Sequence, residues 1–482
     1  MVFGRNLSVL EKALLTVALA GQLLHLFWVA QPVAGWRSWK QADTAAITRN
    51  FHNEEFSPLH PRIDWGGWGP GYVEAEAQIY TTFVALIYKL TGVQEWVGRL
   101  LSSVFSALTA LYLYLYGKRL RNQLYGLSAA AVFSAMPMEI YFGAAFMPEP
   151  LMLLALIGAL FHFHCWLEKN SRFDWAVSLI FFLVAVLIKP QSLCLGLPLL
   201  FLSHSFLGWK FLRRWDIWLY AVLVFVIPAA YYLHAHGLFI QYGNSFGIWN
   251  DSADKWFNLD LLMTSKFYQR LIFTNIAKRL LTYGGFAVFI LGLFLKFEGR
   301  EKVVIYWLGG LVVYMLVVAR GNYLLDYYQL PLLLPASFVI AGTIEWVASN
   351  SPVHKTARDA VIFAILMIAP LSAARNVGFT NHVARDVSLV NFAQNLDAAL
   401  PQECRVVTLT KGNPTFLYHI NRKGWVKWPG KKALKNNGDL PTDVYIAGKR
   451  SDVKSLCTNH KLLIQPVLND DHEYICVKYT PL

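Results

Sequence analysis

Charge is scarce in this sequence. Only 15% of its 482 residues are Asp, Glu, Lys or Arg, against 56% hydrophobic and 15% aromatic, and the mean hydropathy is +0.39. A soluble domain carries roughly 25% charged and about 45–50% apolar residues, so a water-soluble globule is excluded as the main body of the chain. Cysteine is scarce too. The five cysteines show no metal-ligand spacing. Cys165 and Cys194 fall in apolar runs, while Cys404, Cys457 and Cys476 fall in a polar tail, where pairing of two of them stays open. No small-residue cleavage site follows the first apolar run, 13–33, which is too long for a signal peptide. Nor does one basic patch gather the net charge of +13, and no half of the chain repeats the other.

What the chain does have is long apolar runs. We expect about eleven spans, near residues 10–30, 95–116, 125–142, 149–167, 175–188, 192–206, 217–233, 280–295, 303–318, 327–346 and 360–374. Backbone groups cannot stay unpaired in lipid, so these runs must be helices. The cations lie in short clusters between them: Lys118, Arg119 and Arg121; Lys169 and Arg172; Lys210, Arg213 and Arg214; Lys296, Arg300 and Lys302; Lys355 and Arg358. Such alternation is the positive-inside pattern, which makes membrane lipids rather than nucleic acid the partner of the basic charge. The remaining connections, 31–74, 143–148, 189–191, 234–278 and 320–326, then face outward, as does the tail.

The expected fold is therefore an all-α polytopic membrane bundle over 1–374, with interfacial helices in its first outward loop, 31–94. A small C-terminal α/β extracytoplasmic domain follows over 375–482. Its short β-rich runs, 404–409, 444–447, 462–464 and 474–479, alternate with a helical stretch at 387–400 and a turn at 411–414.

Polar density concentrates in the first outward loop. Arg37-Ser38-Trp39-Lys40-Gln41-Ala42-Asp43-Thr44-Ala45 leads into a helix whose Ala46, Ile47 and Phe51 share one face. Asp43 is expected at the helix start, where a carboxylate caps free N–H groups and meets the positive dipole end. Trp65-Gly66-Gly67-Trp68-Gly69-Pro70-Gly71-Tyr72-Val73-Glu74-Ala75-Glu76 is a turn running into an apolar helix that ends near Gly92. Glu149 sits between two prolines at the outward end of a span. Lys189 and Arg320 lie at outward boundaries, where phosphate contact competes with snorkelling. His234 and His236 read as loop residues; His162 and His164 as partners in packing or interhelical hydrogen bonds. Trp249, Trp256, Phe267 and Tyr268 read as interface anchors.

The Gln-Ala-Asp-Thr-Ala loop, the Gly-Tyr-Val-Glu-x-Glu turn, Gly98-Arg99-Leu100-Leu101-Ser102, Met147-Pro148-Glu149-Pro150, Lys189-Pro190 and Arg320-Gly321-Asn322-Tyr323 before Tyr327-Tyr328-Gln329-Leu330-Pro331 occur in one order. Together they resemble a bacterial branch of the GT-C glycosyltransferases, relatives of protein O-mannosyltransferases and lipid A aminoarabinose transferases (glycosyltransferase family 39-like). That resemblance implies a polyprenyl-phosphate sugar as donor and an extracytoplasmic acceptor, whether glycan, lipid or protein. It also implies a multi-pass location in the bacterial inner membrane with the active site outside. By the same resemblance Asp43 is the general base, Glu76 and Glu149 are further catalytic acids, and Glu76 is a position where a divalent metal could bind. Arg320, Lys189, Arg37 and Lys40 would hold the donor phosphate, and Glu74, Tyr323 and Tyr327 would line the substrate site. The chemistry suits one base: an inverting displacement needs proton removal from the attacking hydroxyl, while phosphate leaves with little help.

A secondary transporter or flippase is the rival reading. It would gather its charges at the midplane of broken helices, often in repeated halves, whereas here the acids lie in outward connections.

Overall fold

The computed structural model describes residues 7–248, 255–350, 354–360, 362–364, 366, 379–428, 444–460, 463–469 and 474–480. Trp249, most of the last expected span and the side chain of Cys457 lie outside the described residues. The chain forms two compact units.

The first comprises Met1–Ala30, Arg99–His234 and Gly247–Gly378. Six described helices are long and apolar enough to cross a bilayer: Val9–Val29, Glu95–Leu120, Glu149–Lys169, Pro190–Arg213, Trp215–Tyr242 and Asp326–Asn350. A seventh appears if the bent pair Ser265–Leu280 and Thr282–Leu293 counts as one broken span. The first begins with a capping box in which Ser8 and Glu11 satisfy each other's backbone N–H. The expected span 125–142 is broken. Helix Gln123–Ala135 stops, Met136 turns extended at ψ 136°, and a short helix restarts at Pro137. Proline has no N–H to continue the ladder and drives the residue before it out of the helical region.

Buried polar links tie the helices together. His162 Nδ1 lies 2.7 Å from Asp174 and its Nε2 3.1 Å from the Tyr112 hydroxyl, and His164 lies 3.3 Å from the Tyr116 hydroxyl. These are the interhelical bonds that the sequence led us to expect. Two other expectations need correcting. His234 and His236 are helical, because Trp215–Tyr242 runs on through Pro228 and ends only where Gly243 adopts φ +75°. Phe267 is fully buried rather than an interface anchor, whereas Trp256 and Tyr268 are exposed.

The second unit comprises Gln31–Gly98, Ala235–Phe246 and Phe379–Leu482, so the first loop belongs to the same compact body as the tail. Five strands, β1 (Arg405–Leu409), β2 (Lys423–Lys427), β3 (Val444–Lys449), β4 (Leu463–Asn469) and β5 (Tyr474–Thr480), form one sheet in the order β2-β1-β3-β5-β4. β1 runs parallel to β2 and β3, and β5 antiparallel to β3 and β4. Strand β2 went unforeseen because it carries a lysine at each end and a glycine within, the composition of a sheet edge.

That edge is covered. Gly424 N–H donates to Asp64 O and Gly67 N–H donates to Gly424 O, both at 2.9 Å, so the first-loop turn adds itself to β2. One face of the sheet packs Phe392, Leu396, Phe416, Leu417 and Tyr474, with Trp65 against them. Each such buried side chain contributes about 1.5–3 kcal/mol. The tail thereby fixes the first loop from behind.

Candidate active site

Helix Ser38–Asn53 begins directly after Arg37, which holds a left-handed conformation at φ 55°. Asp43 is consequently five residues inside the helix and does not cap it; the turn at Arg37 starts the helix one and a half turns earlier than expected. A carboxylate there has no backbone N–H to satisfy. Its Oδ1 instead accepts a hydrogen bond from Trp65 Nε1 at 2.9 Å. The side chain is buried, and that burial pushes its carboxyl up to about 7. The Trp65 indole and the Lys40 ammonium act in the opposite direction, while Asp64 and Glu76 add to the rise. A carboxylate balanced near neutrality can take a proton and release it again.

Lys40, one helical turn before Asp43, pairs with Glu76 and lies over the Phe246 ring at 4.7 Å. Both members of this pair are buried. A metal ligand needs an oxygen clear of ammonium groups and fellow donors around it. Glu76 has Lys40 instead, and no group of three His, Cys, Asp or Glu converges among the described residues. Glu76 does not fit a metal. Arg37 lies 5.6 Å from the Trp36 ring. Glu74 is fully buried, 3.2 Å from His236 Nδ1, and accepts a hydrogen bond from Ser245. It ties the turn to 235–246.

A second buried aspartate in this loop was not expected. Asp64 pairs with Arg49, accepts from Asn50 at 3.2 Å and meets Lys423 Nζ at 3.1 Å. Burial alone would raise its carboxyl, but Arg49 and Lys423 hold it below the ordinary value. Two aspartates near one turn are thus driven in opposite directions, one kept ionised and one poised. Arg49 also donates to Tyr418 O at 2.9 Å.

In the spanning unit, Pro190 ends helix Arg172–Ile188 and leaves Lys189 extended. Its ammonium lies 3.4 Å from Glu149, at the first turn of Glu149–Lys169, and over the rings of Tyr327 at 5.9 Å and Tyr328 at 5.6 Å. Glu149 is buried and neither of its oxygens has a hydrogen-bond partner among the described residues. Lys189, Glu149 and Tyr327 are therefore brought together. Arg320 is exposed on the short helix Ala319–Leu324, and Tyr323 carries Arg270 4.6 Å from its ring.

Solved structures match over most of the chain. The structure of ArnT from Cupriavidus metallidurans bound to undecaprenyl phosphate superposes with a TM-score of 0.66 at 15% identity, covering 96% of this chain and 97% of that one. The chain has the GT-C fold. The archaeal oligosaccharyltransferase AglB from Archaeoglobus fulgidus, in complex with an inhibitory peptide and a dolichol-phosphate, shares this fold at a TM-score of 0.56 and 12% identity, over 92% of this chain and 70% of that one. Residues 78–233 match the family described as dolichyl-phosphate-mannose-protein mannosyltransferase. No curated protein sequence matches the chain. Asp43 in one unit, and Glu149 and Lys189 in the other, are among the buried ionisable residues of this fold.

Proposed function

We propose that this protein is an integral membrane glycosyltransferase that moves a sugar from a polyprenyl-phosphate donor to a hydroxyl of an extracytoplasmic acceptor. The reading rests on one observation above others: a buried carboxylate, Asp43, poised at about 7 on a helix that its neighbours lock in place. The GT-C fold and the match to a dolichyl-phosphate-mannose family support the donor class.

In this reading Asp43 takes the proton from the acceptor hydroxyl as its oxygen attacks the anomeric carbon. The bond from that carbon to the phosphate oxygen breaks, and its electron pair leaves with the phosphate. Configuration inverts in a single displacement. Trp65 orients the carboxylate, and Lys40, neutralised by Glu76, limits how far its proton affinity rises. Lys189 is the cation for the donor phosphate, with Glu149 holding its ammonium in place until donor arrives. Transfer of radiolabel from a polyprenyl-phosphate sugar by the purified protein tests the reading. Counterflow in liposomes without any transfer would overturn it in favour of a transporter.

The pH dependence follows from Asp43. Protonated, it cannot accept; ionised, it can. kcat/KM should therefore fall as pH drops through about 7. Trp65→Phe keeps the packing and removes the indole donor that lowers the carboxyl, so the midpoint of that acid limb should move to higher pH. An unmoved limb would separate Trp65 from the base.

Sidedness is also part of the proposal. With single cysteines placed at Ser171 and Ser451, a membrane-impermeant thiol reagent should label them from opposite faces. Labelling of both from the same face would overturn the topology drawn from the basic clusters.

A further inference from the structure

The second unit contains a cavity of about 660 Å³ whose wall includes Arg49, Asn50, Asp64, Gly67, Arg405 and Lys423. Asp64, Arg405 and Lys423 were not singled out from the sequence. We infer that this cavity is a saccharide subsite for the acceptor, a reading that rests on the glycosyl transfer proposed above.

Its lining excludes other ligands first. A prenyl chain needs an apolar wall, and apolar side chains here are confined to Ile63 and Pro70. A polyanion needs cations with charge to spare. Four of the five cations here are matched internally, Arg49 and Lys423 on Asp64, Arg62 on Glu54 and Arg422 on Asp397, which leaves Arg405 alone to meet a ligand. Much of the remaining polar wall is amide. Asn50, Asn53, Asn421 and Gln402 can each donate and accept, which suits neutral hydroxyls.

The rim supplies a flat apolar surface. Trp68 is 60% exposed. It stands between Gly67 and Gly69, both of which line the cavity. Gly67 adopts φ +66°, and a Cβ on it would meet Trp425 Nε1 at 2.6 Å, so the turn tolerates only glycine there. The Trp425 ring lies edge-on to Trp68 at 5.7 Å, and Arg405 lies 5.6 Å from the Trp68 ring. Arg405 Nε is buried with no hydrogen-bond partner among the described residues. A buried donor without an acceptor is costly, and a ligand hydroxyl would relieve it. A sugar ring presents C–H groups on one face and hydroxyls at its edge, matching an indole flanked by amides and a guanidinium.

The cavity also adjoins the base. Asp64 in its wall precedes Trp65, whose indole holds Asp43, and Arg49 follows Asp43 by six residues, about 9 Å along one helix. A saccharide seated there places more distal units in the cavity while one hydroxyl reaches Asp43.

Saturation-transfer NMR on the full-length protein in nanodiscs tests this, with mannotriose, maltotriose and chitotriose as probes. At least one should receive saturation on its ring C–H protons. Trp68→Ala and Arg405→Ala should each weaken that binding roughly tenfold, the weight of one good contact, and Trp68→Phe should restore most of it. Absence of transfer to all three sugars, or undiminished binding in both alanine variants, overturns the subsite. The glycosyltransferase reading fails separately, if Asp43→Asn retains turnover.

Discussion

Asp43→Asn should lower turnover of a polyprenyl-phosphate sugar by about 100-fold or more, the usual weight of a positioned proton acceptor, without weakening the fold. The amide is isosteric and its oxygen still accepts from Trp65 Nε1, so the geometry at 2.9 Å survives. Stability gives the second readout. The folded carboxyl sits at about 7, above its ordinary 3.8. A raised carboxyl means that the folded state binds the proton more tightly than the unfolded chain does. Its stabilising contribution is therefore present at low pH and is lost as pH rises from about 4 through 7. At pH 8 the wild type buries an ionised aspartate; the asparagine variant does not. Its melting temperature at pH 8 should equal or exceed the wild type's. Near-wild-type turnover at saturating donor would end the catalytic assignment, and a large drop in melting temperature would make Asp43 a structural residue.

Lys189→Gln should raise the donor KM by about tenfold or more, as loss of one charge-assisted phosphate contact implies, with acceptor KM little changed. The single change also strands Glu149, a buried carboxylate 3.4 Å from the ammonium. Breaking a buried pair from one side costs about 3–5 kcal/mol, whereas removing both charges is often nearly neutral. The double variant Lys189→Gln with Glu149→Gln should thus recover most of the thermal stability and none of the donor affinity. Recovery of both would mean that Lys189 serves Glu149 alone. Arg320, exposed on its short helix, is the next cation to test for donor binding.

How much of this was legible in the residues depends on how local the cause was. Lys189 extended before Pro190 is a two-residue effect, and Glu149 at a helix start between prolines is another. Both could be read directly. The break at Met136 and Pro137 was equally local, yet hydropathy averaged over a long window concealed it. Asp43 stood out in its motif but was placed wrongly on its helix, because a left-handed arginine at 37 leaves no composition signal. Asp64, Lys423 and Tyr418 could not be found at all. Their partners are distant in the chain, and an isolated aspartate or lysine in a turn resembles any solvated residue.

The sequence by itself determined the solvent of each segment: apolar runs long enough for lipid, basic clusters between them, and a tail whose strands alternate. Those properties follow from transfer free energies and backbone hydrogen bonding, which act residue by residue. Tertiary structure decided what the acids do. Asp43 and Asp64 are the same residue type, and both are buried. One has an indole N–H and a partly spent ammonium nearby; the other faces a guanidinium and a second ammonium directly. Proton affinity depends on which charges a carboxylate meets across space, and only folding the tail onto the first loop brings Lys423 to Asp64 while Trp65 holds Asp43.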